Sequence, residues 1–355
     1  MTWQETLLTF AAAVGITAAT MALLRPLFLR VGLVDQPDMR KRHGSPVAIS
    51  GGPAIAIVMV AAFVIGHAPS SWWLALVAAV ILLVIGLLDD CFGMPIAVRL
   101  LGQVAAAFTL VTAGFRVEDL GALGSLGPFA MPFSMLCIVT FINACNMVDG
   151  ADGLIGGALL PGALVLALFD TAFGGRVALV LGGGLVGFLL WNWPAASASR
   201  RVGLRMFLGN GGVKFVALLL AAVLLANVGR GGHLTPGVVP WLVLIPLADL
   251  ANSCVRRLIR RASPLEADRG HFHHRLIAAG WSNRAVASAY LAVAAVAATV
   301  AALAVLLHVG DSLLWGSAAI LLSGATIFGL APDGEPGAVA HADVARPGSS
   351  PTTDP

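Results

Sequence analysis

The chain has 355 residues, 58% of them hydrophobic and only 11% charged, with a formal net charge of +3. Soluble domains carry roughly 25% charged residues, so a soluble globular protein is excluded. The small net charge says little by itself, and no nucleic-acid partner is expected. The four cysteines, Cys91, Cys137, Cys145 and Cys254, lie in or beside apolar segments without metal-type spacing, which speaks against a disulfide framework.

Apolar runs fall at 6–29, 51–67, 72–89, 96–114, 129–147, 153–170, 176–193, 211–228, 237–258, 285–308 and 312–330. At about 20 residues per membrane crossing these read as about eleven transmembrane helices. In lipid every backbone polar group must be satisfied internally, so the expected fold is all-α, a polytopic integral membrane helix bundle. One membrane domain covers 1–330. The tail 331–355, rich in Pro, Gly, Ser, Thr and Asp, is expected to be disordered. The N-terminus has no basic leader, and the run from Leu7 to Leu29 is too long for a signal-peptide core, so it reads as an uncleaved first helix.

Basic residues set the orientation. Only Lys41 and Lys214 are lysines; the rest of the 21 basic residues are arginines. With the N-terminus outside, the outer connections hold only Arg116, Arg176 and Arg230. That asymmetry predicts N-terminus outside and C-terminus cytoplasmic. Every polar motif below then falls on the cytoplasmic side.

The first inner loop, 34–46, carries Arg40-Lys41-Arg42-His43. Such a cluster beside a helix end suits anionic lipid or a phosphorylated substrate. Asp89-Asp90 ends the third apolar run, where a carboxylate opposes the helix dipole. Two adjacent carboxylates repel unless a cation lies between them or one keeps a proton. The outer segment 115–128 reads as a short ordered loop.

The stretch 143–154 places Asn143, Asn146, Asp149 and Asp152 at successive intervals of three, with Gly150 and Gly153 between two apolar runs. Residues three apart share a helix face, and the glycines predict a break that aims polar groups into a cleft. A charge at membrane depth costs roughly 2.5–3.5 kcal/mol on insertion scales, so such groups usually face a cavity or a ligand. An N-cap role would explain Asp149 but neither Asn. Further on, Gly209-Asn210-Gly211-Gly212 opens a helix as a phosphate-approaching turn would. The inner loop 259–284 gathers Glu266, Asp268, Arg269, His271, His273, His274 and Arg275 within a short span. Arginine and histidine there can bind phosphate and sugar hydroxyls; a His-x-His-His run can also bind zinc, although no cysteine accompanies it.

In this order and combination, these motifs resemble the polyprenyl-phosphate N-acetylhexosamine-1-phosphate transferases. That family includes phospho-MurNAc-pentapeptide translocase and the UDP-GlcNAc:undecaprenyl-phosphate GlcNAc-1-phosphate transferases. The resemblance covers about 35–275 and rests on the Asp-rich basic first loop, Leu87-Leu88-Asp89-Asp90, Asn143 to Leu154 and the His segment.

The resemblance implies transfer of a sugar 1-phosphate from a UDP-sugar to undecaprenyl phosphate, releasing UMP and initiating a cell-envelope polysaccharide such as a lipopolysaccharide O-antigen. It implies Mg²⁺ (or Mn²⁺) as cofactor, membrane lipid as surroundings and a bacterial inner membrane with the active site facing the cytoplasm. Homodimers occur in the family, although the chain shows no interface signature. Asp89, Asp90, Asp149 and Asp152 are the implied catalytic residues. Arg40, Lys41, Asn143, Asp268, Arg269, His271, His273 and His274 are implied to bind substrate. Asn146, Asn210 and Asp90 are implied metal ligands, with the division between base and ligand left open. The His-x-His-His form favours a simple N-acetylhexosamine such as GlcNAc over MurNAc-pentapeptide. Asn210 stands where the family usually has Asp, an exchange that keeps an oxygen but loses a charge that Mg²⁺ favours. The alternatives are a non-catalytic or low-activity paralogue with the same fold, or a UbiA-like prenyltransferase.

Overall fold

A computed structural model describes residues 1–35, 46–170, 172–194, 204–228, 234–261 and 270–330. The chain is built of helices: α1 (Trp3–Val31), α2 (Gly51–Ile65), α3 (Ser70–Phe92), α4 (Ile96–Thr112), α5 (Ala130–Val148), α6 (Leu154–Phe169), α7 (Phe173–Asn192) and α8 (Gly209–Val228), then α9 (Val239–Leu242), α10 (Leu244–Arg260), α11 (Phe272–Ala278), α12 (Asn283–Leu306) and α13 (Asp311–Leu330). Two short strands, β1 (Val34–Asp35) and β2 (Val47–Ala48), pair antiparallel between α1 and α2. The expected tail 331–355 and the expected substrate residues Arg40, Lys41, Asp268 and Arg269 lie outside the described residues.

Each expected apolar run has a helical counterpart. Among the described residues, seven helices are long and apolar enough to cross a membrane: α1, α3, α5 with its leading turn, α7, α8, α12 and α13. The chain is therefore an all-α multi-pass membrane protein. Three runs form shorter apolar helices, α2, α4 and α6, of 15, 17 and 16 residues. At about 1.5 Å per residue these fall short of a bilayer core of about 30 Å. The run 237–258, expected as one span, is broken: α9 and α10 meet at an angle of 84°. Val243 between them leaves helical geometry, with φ −129° and ψ 33°. Pro240 and Pro246 lie on either side, and proline cannot donate to the helical ladder.

Helix α8 is the centre of the bundle, buried along almost its whole length. It packs on α2, α3, α5 and α7. Its first turn meets its neighbours backbone to backbone. A Cβ on Gly86 of α3 would lie 2.1 Å from the Cα of Gly211, and one on Gly52 of α2 would lie 2.4 Å from the Cα of Gly212. Small residues let membrane helices approach in this way. The segment before α8 adds a second tie: Phe207 N donates to Ala48 O at 2.9 Å, Gly51 N to Phe207 O at 3.0 Å and Gly52 N to Leu208 O at 3.2 Å. Together these contacts hold the end of β2 and the starts of α2 and α8 at one end of α3.

At the opposite end, Asp311 at the start of α13 accepts from Ala122 N at 2.8 Å and Gly237 N at 2.7 Å. The segment 115–128, expected as an ordered loop, is held there and by Val117 N donating to Ser134 Oγ at 2.9 Å.

Because backbone lies on both sides of the α3–α8 contact, no side chain can yield to an added methyl. Gly86→Ala is expected to destabilise the protein by about 1–3 kcal/mol or more, as overpacking does. Gly324→Ala on α13, where an added Cβ meets nothing within 4 Å, should be neutral or stabilising. Thermal unfolding of both variants in detergent checks the pair; equal transitions would disprove the close contact.

Candidate active site

A cavity of about 370 Å³ opens where these segments converge. Its walls carry Asp35 from β1, Asp90 from α3, Asp149 and Asp152 from the α5–α6 turn, Arg205 and Asn210 from the approach to α8, and His274 from α11. Among the described residues, four carboxylates and Arg205 thus face one space.

The two acids of α3 part company. Successive residues on a helix point about 100° apart, so Asp90 faces the cavity while Asp89 turns into the α3–α4–α8 contact. Asp89 Oδ2 lies 3.2 Å from Arg99 Nη1 and 3.8 Å from Lys214 Nζ, and its Oδ1 accepts from Met94 N at 2.9 Å. Asp90 accepts from the Asn210 backbone N at 3.1 Å and from its amide Nδ2 at 2.5 Å. Asp90 therefore caps the positive end of α8 from another helix, an arrangement the helix dipole favours. Gly209, with φ +78°, makes the turn that permits it.

The stretch from Asn143 divides in the same way. Asn143 bonds along and across the bundle: its Nδ2 donates to Val139 O at 2.8 Å and to Gln103 Oε1 on α4 at 2.6 Å. Neither Asn143 nor Asn146 is in the cavity wall. Helix α5 ends at Val148, and Asp149 follows at its C-terminus. Helix α6 starts after Gly153, which adopts φ +79° and caps it without a side-chain bond, so Asp149 is not the N-cap of α6. Asp149 and Asp152 both reach the cavity. Asp152 pairs with Arg205 at 3.1 Å, and Asn192 fixes the turn by accepting from Gly153 N at 2.7 Å and donating to Met206 O at 3.1 Å. Burial, then the neighbouring Asp90, Asp152 and Asp35 carboxylates, push the Asp149 carboxyl up to about 7.

The three histidines have three different settings. His271 is buried, and its Nδ1 lies 2.8 Å from Asp249 Oδ2 and 3.2 Å from Ser253 Oγ. A carboxylate only accepts, so Nδ1 carries the proton. His273 is buried against Gly150, where an added Cβ would meet its ring; burial, then His274, push it down to about 3, so its ring is neutral. His274 alone of the three lines the cavity, with its ring 4.1 Å from that of His273.

Sequence reasoning missed the support for this segment. On α10, Asp249, Asn252, Ser253 and Arg256 are all buried, and their spacing of three and four puts them on one face. Asp249 Oδ1 accepts from Phe272 N at 3.0 Å, opening α11; Asn252 and Arg256 both donate to Gly270 O. The polar stripe inside an apolar run was the available signal. Asp35 and Arg205 were also missed. Both sit in polar connections whose other residues drew attention first.

The donor set suits a hard divalent ion: carboxylate and amide oxygens line one cavity. Among the described residues no three His, Cys, Asp or Glu side chains already stand around one point. Mg²⁺ is commonly held by one or two carboxylates with substrate phosphates completing its shell, and the cavity offers that arrangement.

The family model of glycosyl transferase family 4 matches residues 72–227. An undecaprenyl-phosphate alpha-N-acetylglucosaminyl 1-phosphate transferase of Yersinia pestis is 30% identical over 281 residues, 75% of this chain and 75% of that protein. This chain belongs to glycosyl transferase family 4. Two further relatives of this family member are each 29% identical. A probable undecaprenyl-phosphate N-acetylglucosaminyl 1-phosphate transferase of Bacillus subtilis aligns over 79% of the chain and 81% of its own length. An undecaprenyl-phosphate alpha-N-acetylglucosaminyl 1-phosphate transferase of Escherichia coli K12 aligns over 82% and 80%. The family match takes in Asp89, Asp90, Asp149, Asp152 and Asn210, while Asp249 and the histidines lie beyond it.

If α10 holds the histidines in place, Asp249→Ala leaves the Phe272 N–H without its acceptor and the His271 Nδ1–H with Ser253 Oγ alone, a loss of about 1–3 kcal/mol. Amide hydrogen exchange should then accelerate at Phe272 and through α11 while α8 stays protected. Unchanged exchange at Phe272 would rule out the anchoring role.

Proposed function

We propose that this family 4 member transfers an N-acetylhexosamine 1-phosphate, with GlcNAc as the sugar, from a UDP-sugar to undecaprenyl phosphate, releasing UMP. The observation that carries this reading is the joining of three sequence-distant motifs in one anionic cavity. Relatives named for the same transfer, aligned over most of the chain, support it.

In this reaction an oxygen of the lipid phosphate attacks the sugar-bearing phosphorus. A new P–O bond forms at that phosphorus, its bond to the bridging oxygen breaks, and UMP leaves with the bridging oxygen. Phosphoryl transfer asks mainly for alignment and charge stabilisation. Arg205 and His274 supply donors to diphosphate oxygens at the cavity wall. Asp152 orients Arg205. Asp149, with a carboxyl titrating near neutrality, holds or accepts a proton at the lipid phosphate. The shared caps on Asp90 fix its carboxylate at the start of α8. When bound, Mg²⁺ or Mn²⁺ would offset charge on the diphosphate, with Asp90 as a protein ligand. Undecaprenyl phosphate would present its headgroup from the membrane, and the Arg and Lys asymmetry supports a cavity on the cytoplasmic face of a bacterial inner membrane, where UDP-sugars are available.

The test is direct. Purified protein is given labelled UDP-GlcNAc, undecaprenyl phosphate and Mg²⁺, and UMP and labelled lipid are measured. Equimolar UMP and lipid-linked sugar are expected, lost on chelation with EDTA and restored by Mg²⁺. Asp149→Asn should lower turnover at least about 100-fold, the scale of a lost acid–base group, while leaving the protein folded. No UMP from any of a panel of UDP-N-acetylhexosamines would refute the transferase reading and favour a non-catalytic paralogue.

A further inference from the structure

The acid pair of α3 is matched by cations that belong to the chain itself. Asp89 is buried between Arg99 and Lys214, at 3.2 Å and 3.8 Å from its Oδ2. Lys214 is only 3% exposed and lies one helical turn beyond Asn210 on the same face of α8. Its ammonium field reaches both Asp89 and Asp90. Asp90 in turn is bound by the uncharged Asn210 amide. In formal charge, one guanidinium and one ammonium more than match Asp89, so the inner side of this contact needs no ion, while Asp90 on the cavity side can still take one.

That balance is costly to build. Removing an ion from water costs several kcal/mol even after relaxation, and buried charges persist when they are paired or coordinate a metal. The chain has only two lysines, and one is placed here. The resemblance puts an Asp at position 210; here α8 carries Asn at that position and a buried Lys one turn later. Both features make this face of α8 more positive than an Asp-bearing helix start would be.

We propose that Lys214 is a built-in counter-cation for the Asp89–Asp90 pair. It is a positioning residue that takes, in charge, the place of a divalent ion at the α3–α8 contact. Asp89 then serves as its partner and not as a metal ligand, and Asn210 reads as a cap for Asp90 and not as a weakened ligand. The inference deepens the proposed function, and rests on it only for the site's involvement in catalysis; the test reads ion binding and not turnover, so the two can fail separately.

Mn²⁺ is the probe, and binding to the full chain in detergent is followed by loss of the free-ion electron paramagnetic resonance signal. Lys214→Met should bind Mn²⁺ at least tenfold more tightly than the parent protein, because it exposes uncompensated negative charge. Adding Asp89→Asn to that variant should abolish the gain, and Lys214→Arg should match the parent. In the otherwise unchanged protein, Asp89→Asn should leave Mn²⁺ affinity within twofold, a measurement that does not depend on Lys214→Met folding. A folded Lys214→Met protein without added affinity, a gain that survives Asp89→Asn, or a tenfold loss of Mn²⁺ affinity in Asp89→Asn alone would each overturn the proposal.

Discussion

The close approach of α3 and α8 is the contact on which the site depends. Gly86 and Gly211 meet with no room for a side chain. One turn further along α3, Asp90 therefore reaches the exposed N–H groups at the start of α8 and accepts from Asn210. The same register sets Asp89 beside Lys214 one turn into α8. Two neighbouring acids thus acquire opposite duties, one turned to the cavity and one into the bundle. Gly52 and Gly212 repeat the device with α2 and bring β2 and the Arg205 segment to the same end of the molecule.

Around that frame the cavity is assembled from parts that do not touch in sequence. The α5–α6 turn contributes Asp149 and Asp152, and Asn192 and Arg205 hold it from other segments. The His segment is held from α10 by a row of buried polar groups that ends in the Asp249 carboxylate. Gly150 and His273 join these two halves, since the ring of His273 packs where any larger residue at 150 would stand. The rear of the site is thus anchored through Asp249, Ser253 and Arg256, whereas four carboxylates line its front.

Much of this was legible in the sequence because lipid imposes strong rules. Every apolar run became helical, 237–258 as two helices, since lipid leaves the backbone no other partner. The polar motifs stood out because polar groups in such runs need a reason. What escaped was whatever depended on direction. In 237–258 a hydropathy window averages an apolar first half with the polar stripe from Asp249 to Arg257, and so hides the turn at Val243. Asp89 and Asp90 read as a pair, but helical geometry sends them different ways. Asn143 belongs to the same spaced motif as Asp149, yet the helix presents it to Gln103. Composition and spacing identify which residues need partners; only packing decides which partner each finds.

The central claim is that one cavity, walled by the α5–α6 turn, the start of α8 and His274, receives the nucleotide sugar. Photo-crosslinking with a 5-azido-UDP-GlcNAc probe, followed by peptide mapping, tests it most directly. Labelled peptides should contain Asp149–Gly153, Arg205–Asn210 or His274, and excess UDP-GlcNAc should compete the label away. Competable labelling confined to the opposite end, around Arg116 and Glu118, would contradict the account.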